Sequence, residues 1–573
     1  MKGAETGACI TRSDRTILLE CAHPGYEAAR AALADFAELL KSPPAYHTYR
    51  ITPLSLWNAA ARGHTPEAVI DTLRGLSRWG IPSGLEGEIT LLMSRYGLLQ
   101  LCRHESNPLL VTLSAAQAGL LDELELLEGS RSLRELGLHR AGPVESHCPK
   151  ANRGLLKQEL TRMGYPVLDY AGYRDGQELK LALREADEAG EDHAGAEFGL
   201  RAYQQEAVSR FQGISGTGGS GVVVLPCGAG KTVVGLAVLE KLQCETLILT
   251  SSTTSVEQWR AELLQRTTLL PEEVGEYTGE NREVRPVTVA TYQMLTHRSA
   301  KGGPFLHMSL FNERNWGLII YDEVHLLPAP VFRATADIQA TRRLGLTATL
   351  VREDGREGDV FSLIGPKCYD LPWKVLEQQG FIAAVDCIEV IVPMNQRLRQ
   401  QYLYAGAKEQ FRLAAGNQAK AAAAAQIAAA HPGAAVLVIG QYLDQLQQLA
   451  EQLDAPLITG KTPHKERSAL YAAFNEGRLP LLIVSKVANF AVNLPDASVA
   501  VEVSGAFGSR QEEAQRLGRI LRPKPGDNKA YFYTLVSGES RELDFALRRR
   551  MFLTEQGYEY AVRQLEPPEE AVL

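Results

Sequence analysis

Residues 222–235 read Val-Val-Val-Leu-Pro-Cys-Gly-Ala-Gly-Lys-Thr-Val-Val-Gly, the layout of a device for holding phosphate. An apolar β-branched run ends at Pro226, a Gly228-Ala229-Gly230 turn follows, and Lys231-Thr232 opens an apolar helix. The glycines let backbone N–H groups turn toward an anion, and the helix N-terminus adds a favourable dipole. In such a turn Lys231 reaches the β- and γ-phosphates and Thr232 ligates Mg²⁺. The eight-residue form of the pattern has glycine where Leu225 stands. Alone, then, the stretch also reads as a plain glycine-rich strand–helix connection, and a second half of the site has to decide.

That half is Leu318-Ile319-Ile320-Tyr321-Asp322-Glu323-Val324-His325. An apolar strand delivers two adjacent carboxylates at its C-terminal end, the end at which ligands bind in doubly wound sheets. Asp322 is placed to hold nucleotide-bound Mg²⁺, and Glu323 to orient and deprotonate the attacking water. The bland alternative is an acidic turn after a strand. Farther on, Gln515, Arg519 and Arg522 recur at i, i+4 and i+7, one face of a helix. Two arginines there suit the γ-phosphate across a cleft, where an arginine finger contributes roughly 10³–10⁵ in rate. A solvated polar face is the ordinary alternative.

The elements that must position these residues follow from pattern. At 573 residues the chain exceeds one core, and three to four domains of roughly 150 residues are expected. Two Thr-Pro helix starts, Thr52-Pro53 and Thr65-Pro66, open adjacent helices separated by Gly63. They make either a DNA-recognition pair or, more commonly, a structural hairpin. From Leu200 strands and helices alternate as in a parallel sheet. Strands are expected at 221–225, 246–249, 287–290, 318–321 and 344–347. A second series is expected at 435–439, 457–459, 481–484, 499–503 and 531–534. The alanine-rich run 418–430 separates the series as a helix, and the second series carries no phosphate loop.

Expected domains are 1–130, mostly helical; 131–198, a small α+β unit ending in the acidic linker 185–199; 199–385, the nucleotide lobe; 386–550, the second lobe; and 551–573, a tail. The net charge of −8 argues against nucleic-acid binding by bulk electrostatics but leaves room for a local groove. Eight scattered cysteines without a C-x-x-C pair read as reduced thiols and argue against structural zinc. No apolar run nears the length of a membrane span, and residues 1–16 lack a signal segment, so a cytoplasmic protein without membrane partners is expected.

Taken in order, these segments resemble the motifs of superfamily 2 helicases, and more closely the XPB-type DNA helicases. Leu200-Arg201-Ala202-Tyr203-Gln204 resembles the adenine-reading Q motif, and Leu225 to Thr232 resembles XPB motif I, in which leucine at 225 is usual. Ser255-Val256-Glu257-Gln258-Trp259 is similar to motif Ia, Thr291-Tyr292-Gln293-Met294 to the motif Ib region, and Asp322 to His325 to the DEVH box. Leu346 to Thr349 resembles motif III, Arg352-Glu353-Asp354 the RED loop, 485–497 motif V, and Gln515 to Arg522 motif VI. The stretch His47 to Ala60 resembles the N-terminal region of bacterial members. Asn493 stands where the family has aspartate, and 397–417 is short for the thumb insertion of some members.

The resemblance implies an α/β fold of two RecA-like doubly wound parallel-sheet lobes behind a mixed, largely helical N-terminal region. It implies ATP and Mg²⁺ as cofactors, 3′→5′ movement along DNA, strand separation at a single-strand/duplex junction, and a nuclease or repair protein as partner. Arg201, Gln204, Gly228, Ala229, Gly230, Lys231 and Thr232 would bind the nucleotide; Thr232 and Asp322 the metal; Lys231, Asp322, Glu323, Gln515, Arg519 and Arg522 would act in hydrolysis. Single-strand tracking needs phosphate contacts without base reading. Candidates are Ser252, Thr253, Gln258 and Thr291 in the first lobe and Ser485, Lys486 and Arg510 in the second. Thr347 and Thr349 would link nucleotide to DNA, His325 would sense the γ-phosphate, and Arg352, Glu353 and Asp354 would part the strands. A double-strand translocase, an RNA helicase and a non-hydrolysing scaffold are the competing readings; intact Lys231, Glu323, Arg519 and Arg522 argue against the last.

Overall fold

The computed structural model of the protein describes residues 7–41, 45–127, 130–184, 199–212, 219–300, 303, 305–338, 341–350, 356–485, 497–505, 513, 516–518, 520–521, 523 and 528–565. The chain divides into two compact units, the first made of residues up to Asp370 apart from Leu39–His47 and Pro226–Ala229, the second of those two short stretches and the residues from Leu371 on.

In the first unit both Thr-Pro starts do what their chemistry predicts. The Thr52 hydroxyl accepts the Ser55 N–H at 3.1 Å and heads the helix Pro53–Ala61; that of Thr65 accepts the Ala68 N–H at 3.2 Å and heads Pro66–Leu76. Both helices pack on a third, Leu85–Ser94, and the Trp57 indole donates to the Leu92 carbonyl at 3.0 Å. A five-stranded sheet follows, built from Leu99–Arg103, Leu110–Ala115, His139–Arg140, Glu145–Pro149 and Val167–Asp169. It runs across the 130/131 division expected from sequence, because Leu99–Arg103 pairs with strands on both sides of it and Leu101, Leu113, Leu156 and Leu160 share one core. The acidic linker lies, but for its last residue, outside the described residues.

The first α/β lobe has seven parallel strands: β1 (Ser220–Val224), β2 (Thr246–Thr250), β3 (Val274–Tyr277), β4 (Val287–Thr291), β5 (Leu318–Asp322), β6 (Arg342–Thr347) and β7 (Lys367–Asp370). Their order is β3-β4-β2-β5-β6-β1-β7. Helices α1 (Lys231–Leu242) and α2 (Thr253–Arg266) follow β1 and β2. The central strands are buried on both faces and mostly apolar, the pattern of a buried parallel sheet, with the buried Arg342-Arg343 opening β6 as the exception in charge.

The second lobe has β8 (Ala384–Val392), β9 (Val436–Gly440), β10 (Leu457–Ile458), β11 (Leu481–Ser485), β12 (Val499–Glu502), β13 (Lys529–Ser537) and β14 (Tyr560–Gln564), also all parallel. Their order, β10-β11-β9-β12-β13-β8-β14, is that of the first lobe, strand for strand. Residues expected as a tail supply the seventh strand, β14 pairing with β8. Between β8 and β9 lie helices α3 (Gln396–Tyr404) and α4 (Ala407–Ala415), occupying the short thumb-like segment, and then the alanine-rich helix Ala419–Ala430.

Candidate functional site

Strand β1 is buried and ends against β6, where the Leu225 N–H donates to the Thr347 carbonyl at 3.0 Å. The chain then turns through Gly228 (φ +81°) and Gly230 (φ +77°), left-handed conformations that favour glycine. Gly230 is also the N-cap of α1 and supplies no side-chain acceptor, which leaves the first turn of α1 suited to an anion. The space beside it is taken by Gln204, buried at the start of the helix Ala202–Gln212. A Cβ at position 230 would lie 2.5 Å from Gln204 Nε2. Gln204 Oε1 in turn accepts the Arg201 N–H at 2.9 Å. The residues of the Q-motif-like segment and of the glycine turn, 26 positions apart in the case of Gln204 and Gly230, therefore meet.

Asp322 closes β5, and Glu323 follows with φ +51°. Both oxygens of the Asp322 carboxylate are engaged: Oδ1 accepts the Glu323 N–H at 3.0 Å, and Oδ2 accepts the Trp259 indole N–H at 2.8 Å. The Tyr292 hydroxyl donates to the Asp322 carbonyl at 2.8 Å. Burial, and then the neighbouring Glu323 charge, push Asp322 up to about 6, against the pull of Trp259 and Lys231. A carboxylate so short of counter-charge is a fit receptor for a divalent cation. Glu323 Oε2 is buried and makes no hydrogen bond; His325 Nδ1 lies 3.4 Å from it. Among the described residues no group of three or more His, Cys, Asp or Glu converges as a metal cage.

His325 is buried behind the carboxylates. Its Nδ1 lies 2.6 Å from Thr347 Oγ1 and 3.4 Å from Glu323 Oε2. The Thr347 hydroxyl spends its proton on the Thr349 carbonyl and accepts the Thr349 N–H at 3.1 Å. Nδ1 of His325 must therefore be the donor to Thr347. The segment after β5 and the end of β6 are thus joined by hydrogen bonds through His325, Thr347 and Thr349, with Glu323 beside them.

The candidate strand contacts fall elsewhere. Ser252 caps α2, accepting the Ser255 N–H at 3.2 Å, and Gln258 is exposed on that helix. Thr291 is buried at the end of β4, capping Tyr292–Leu295, and the Gln293 amide donates to the Ser251 carbonyl at 2.7 Å. Ser485 is buried at the end of β11, the place in the second lobe that Thr291 holds in the first. Arg352, Glu353, Asp354, Lys486, Arg510, Gln515, Arg519 and Arg522 lie outside the described residues. Sequence reasoning gave no role to Trp259 or Tyr292, though both stand in quoted motifs. Their partner is 63 and 30 residues away respectively, and nothing local signals it.

Comparisons with known proteins cover nearly all of the chain. Residues 376–571 match the family described as ERCC3/RAD25/XPB C-terminal helicase, 197–352 the type III restriction enzyme res subunit, and 9–141 a helicase conserved C-terminal domain. A protein of Kineococcus radiotolerans named DNA 3′-5′ helicase XPB is 51% identical over 97% of this chain and 96% of its own length. A protein of the same name from Mycobacterium tuberculosis is 50% identical over 97% and 98%. The Saccharomyces cerevisiae general transcription and DNA repair factor IIH helicase/translocase subunit XPB/SSL2 is 31% identical over 96% and 71%.

Proposed function

The chain belongs to the XPB family of DNA helicases, and from that premise we propose that it is an ATP-dependent 3′→5′ DNA helicase acting in repair. It would work in the cytoplasm, at single-strand/duplex junctions, beside a nuclease or other repair protein. The observation that carries the reading is the pairing of a Gly-Ala-Gly-Lys-Thr turn without a side-chain cap with Asp322, whose carboxyl is pushed up, and with a buried Glu323 oxygen that makes no hydrogen bond, at the same end of one parallel sheet.

Lys231 and the N–H groups at the start of α1 bind the phosphates, and Gln204 and Arg201 face the base. Thr232 and Asp322 would hold Mg²⁺, which would supply positive charge against the charge developing on the phosphates. Glu323 takes the proton of the attacking water. His325 and Thr347 then register the change at Glu323 and pass it to the β6 end, toward Thr349 and Arg352-Glu353-Asp354. Motif VI, with Gln515, Arg519 and Arg522, completes the γ-phosphate contacts, while Gln258, Thr291, Ser485, Lys486 and Arg510 hold the strand.

The test is a strand-displacement assay on forks of both polarities, with DNA-stimulated ATPase measured in parallel. Forks with a 3′ loading strand should open, and Lys231→Ala should lower turnover by about 10²–10³-fold, the cost of one lost charge-stabilising donor. ATP hydrolysis without displacement on either fork would establish a translocase, and full ATPase in Lys231→Ala would remove the site assignment.

A further inference from the structure

Trp259 is 2% exposed and is held from two directions. Its indole N–H donates to Asp322 Oδ2 at 2.8 Å. Its six-membered ring lies against α1, where a Cβ at Gly235 would come within 2.7 Å of Trp259 Cη2. The side chain is wedged between the helix that begins at Lys231 and the strand that ends at Asp322. Gly235 is what lets it in.

An indole is an unusual partner for a half-buried carboxylate. It gives one hydrogen bond of fixed direction and no charge. An arginine there would orient Asp322 equally well but would neutralise it and compete with a cation. The neutral donor fixes one oxygen, and the Glu323 N–H, at 3.0 Å, fixes the other. The full negative charge remains for a metal.

We propose that Trp259 is a positioning residue for the metal-holding carboxylate, and that through it α2, which exposes Gln258, bears on the binding of Mg·nucleotide. The proposal rests on the reading that Asp322 holds Mg²⁺. Its consequence is specific: the indole N–H matters to nucleotide affinity only when the metal is present.

Trp259→Phe keeps the ring against Gly235 and removes the donor. With a fluorescent ATP analogue, its affinity in EDTA should stay within about twofold of the parent. The gain in affinity on adding Mg²⁺ should shrink by about 10–100-fold, the usual effect of losing an outer-shell partner of a metal ligand. Tyr292→Phe removes a hydroxyl whose hydrogen bond goes to the Asp322 carbonyl and not to its carboxylate, at 2.8 Å, and should keep the parental gain. A parental Mg²⁺ gain in folded Trp259→Phe overturns the proposal, as does an equal loss in Tyr292→Phe, which would mean general loosening. Asp322→Asn separates the two levels: if it keeps the Mg²⁺ gain, the metal assignment itself fails. Should Trp259→Phe not fold, protein labelled with 5-fluorotryptophan decides. The Trp259 resonance should move when Mg²⁺ joins bound nucleotide and stay in place for nucleotide in EDTA; no movement on Mg²⁺ addition overturns the inference.

Discussion

The two lobes share one strand order and part company at two places, the turn after the first strand and the end of the fifth. After β1 the chain enters α1 through Gly230, which caps nothing. After β8 it enters α3 through Asn395, whose side chain accepts the Leu398 N–H at 2.8 Å. One lobe leaves its helix N-terminus ready for an anion, and the other closes it with its own residue. The fifth strands repeat the lesson with charge. Glu502 ends β12 at the register position of Tyr321, one before Asp322, and is fully buried. It is ion-paired to Arg516 and lies 3.6 Å from Arg549, which is 3.4 Å from Glu513. The guanidiniums outweigh burial and hold Glu502 below the usual carboxylate range, while burial and the Glu502 charge push Glu513 well up. Asp322 has a neutral indole where Glu502 has arginines. The same topology yields an internally compensated carboxylate in one lobe and one without a guanidinium partner in the other.

Carboxylate-to-amide changes at the two strand ends should break the symmetry most visibly. Glu502→Gln leaves buried guanidiniums without their counter-charge and should destabilise the second unit by about 3–5 kcal/mol, read from its denaturant transition. An unchanged transition would mean the cluster is not the compensation it looks like. Asp322→Asn should have the opposite sign. The folded Asp322 titrates at about 6 against 3.8 for the unbiased carboxyl. The stability that protonation confers is therefore present in full below about pH 4 and lost as pH rises through 6. Above pH 6 the ionised group is a cost, and the amide should be more stable by about 1–2 kcal/mol, less than the full shift implies because the site is only partly buried. Denaturation without nucleotide or Mg²⁺ at pH 5 and pH 8 checks this: the advantage should grow between them. The smallest effect belongs to the helix caps, where Asn395→Ala should cost the second unit about 1 kcal/mol, an amount a capped helix loses and the uncapped α1 has already forgone.

Much of this was legible beforehand. The expected strand at 318–321 is β5 with one residue added, and Thr52 and Thr65 cap the helices they announce, because period and capping are local. The carboxylates at 322 and 323 announce themselves by following an apolar strand. Strands β3, β7, β8 and β14 were not foreseen: β3 and β7 are four residues long, β8 carries Asp386 and Glu389 amid its apolar residues, and β14 is mostly exposed. None of these shows the clean apolar run of a central strand.

The sequence by itself nominates residues for chemistry and gives the order in which they occur: a glycine turn with lysine and threonine, two carboxylates, a stripe of arginines and the threonines between them. These are short-range patterns that backbone and side-chain chemistry impose within a few residues. Only the tertiary structure decided how the chemistry is poised. It put Trp259 on Asp322, Gln204 beside Gly230 and His325 on Thr347, and it gave Glu502 the arginines that Asp322 lacks. Those pairings join residues far apart in the chain, and whether a buried charge is compensated or left hungry depends on what the fold brings next to it.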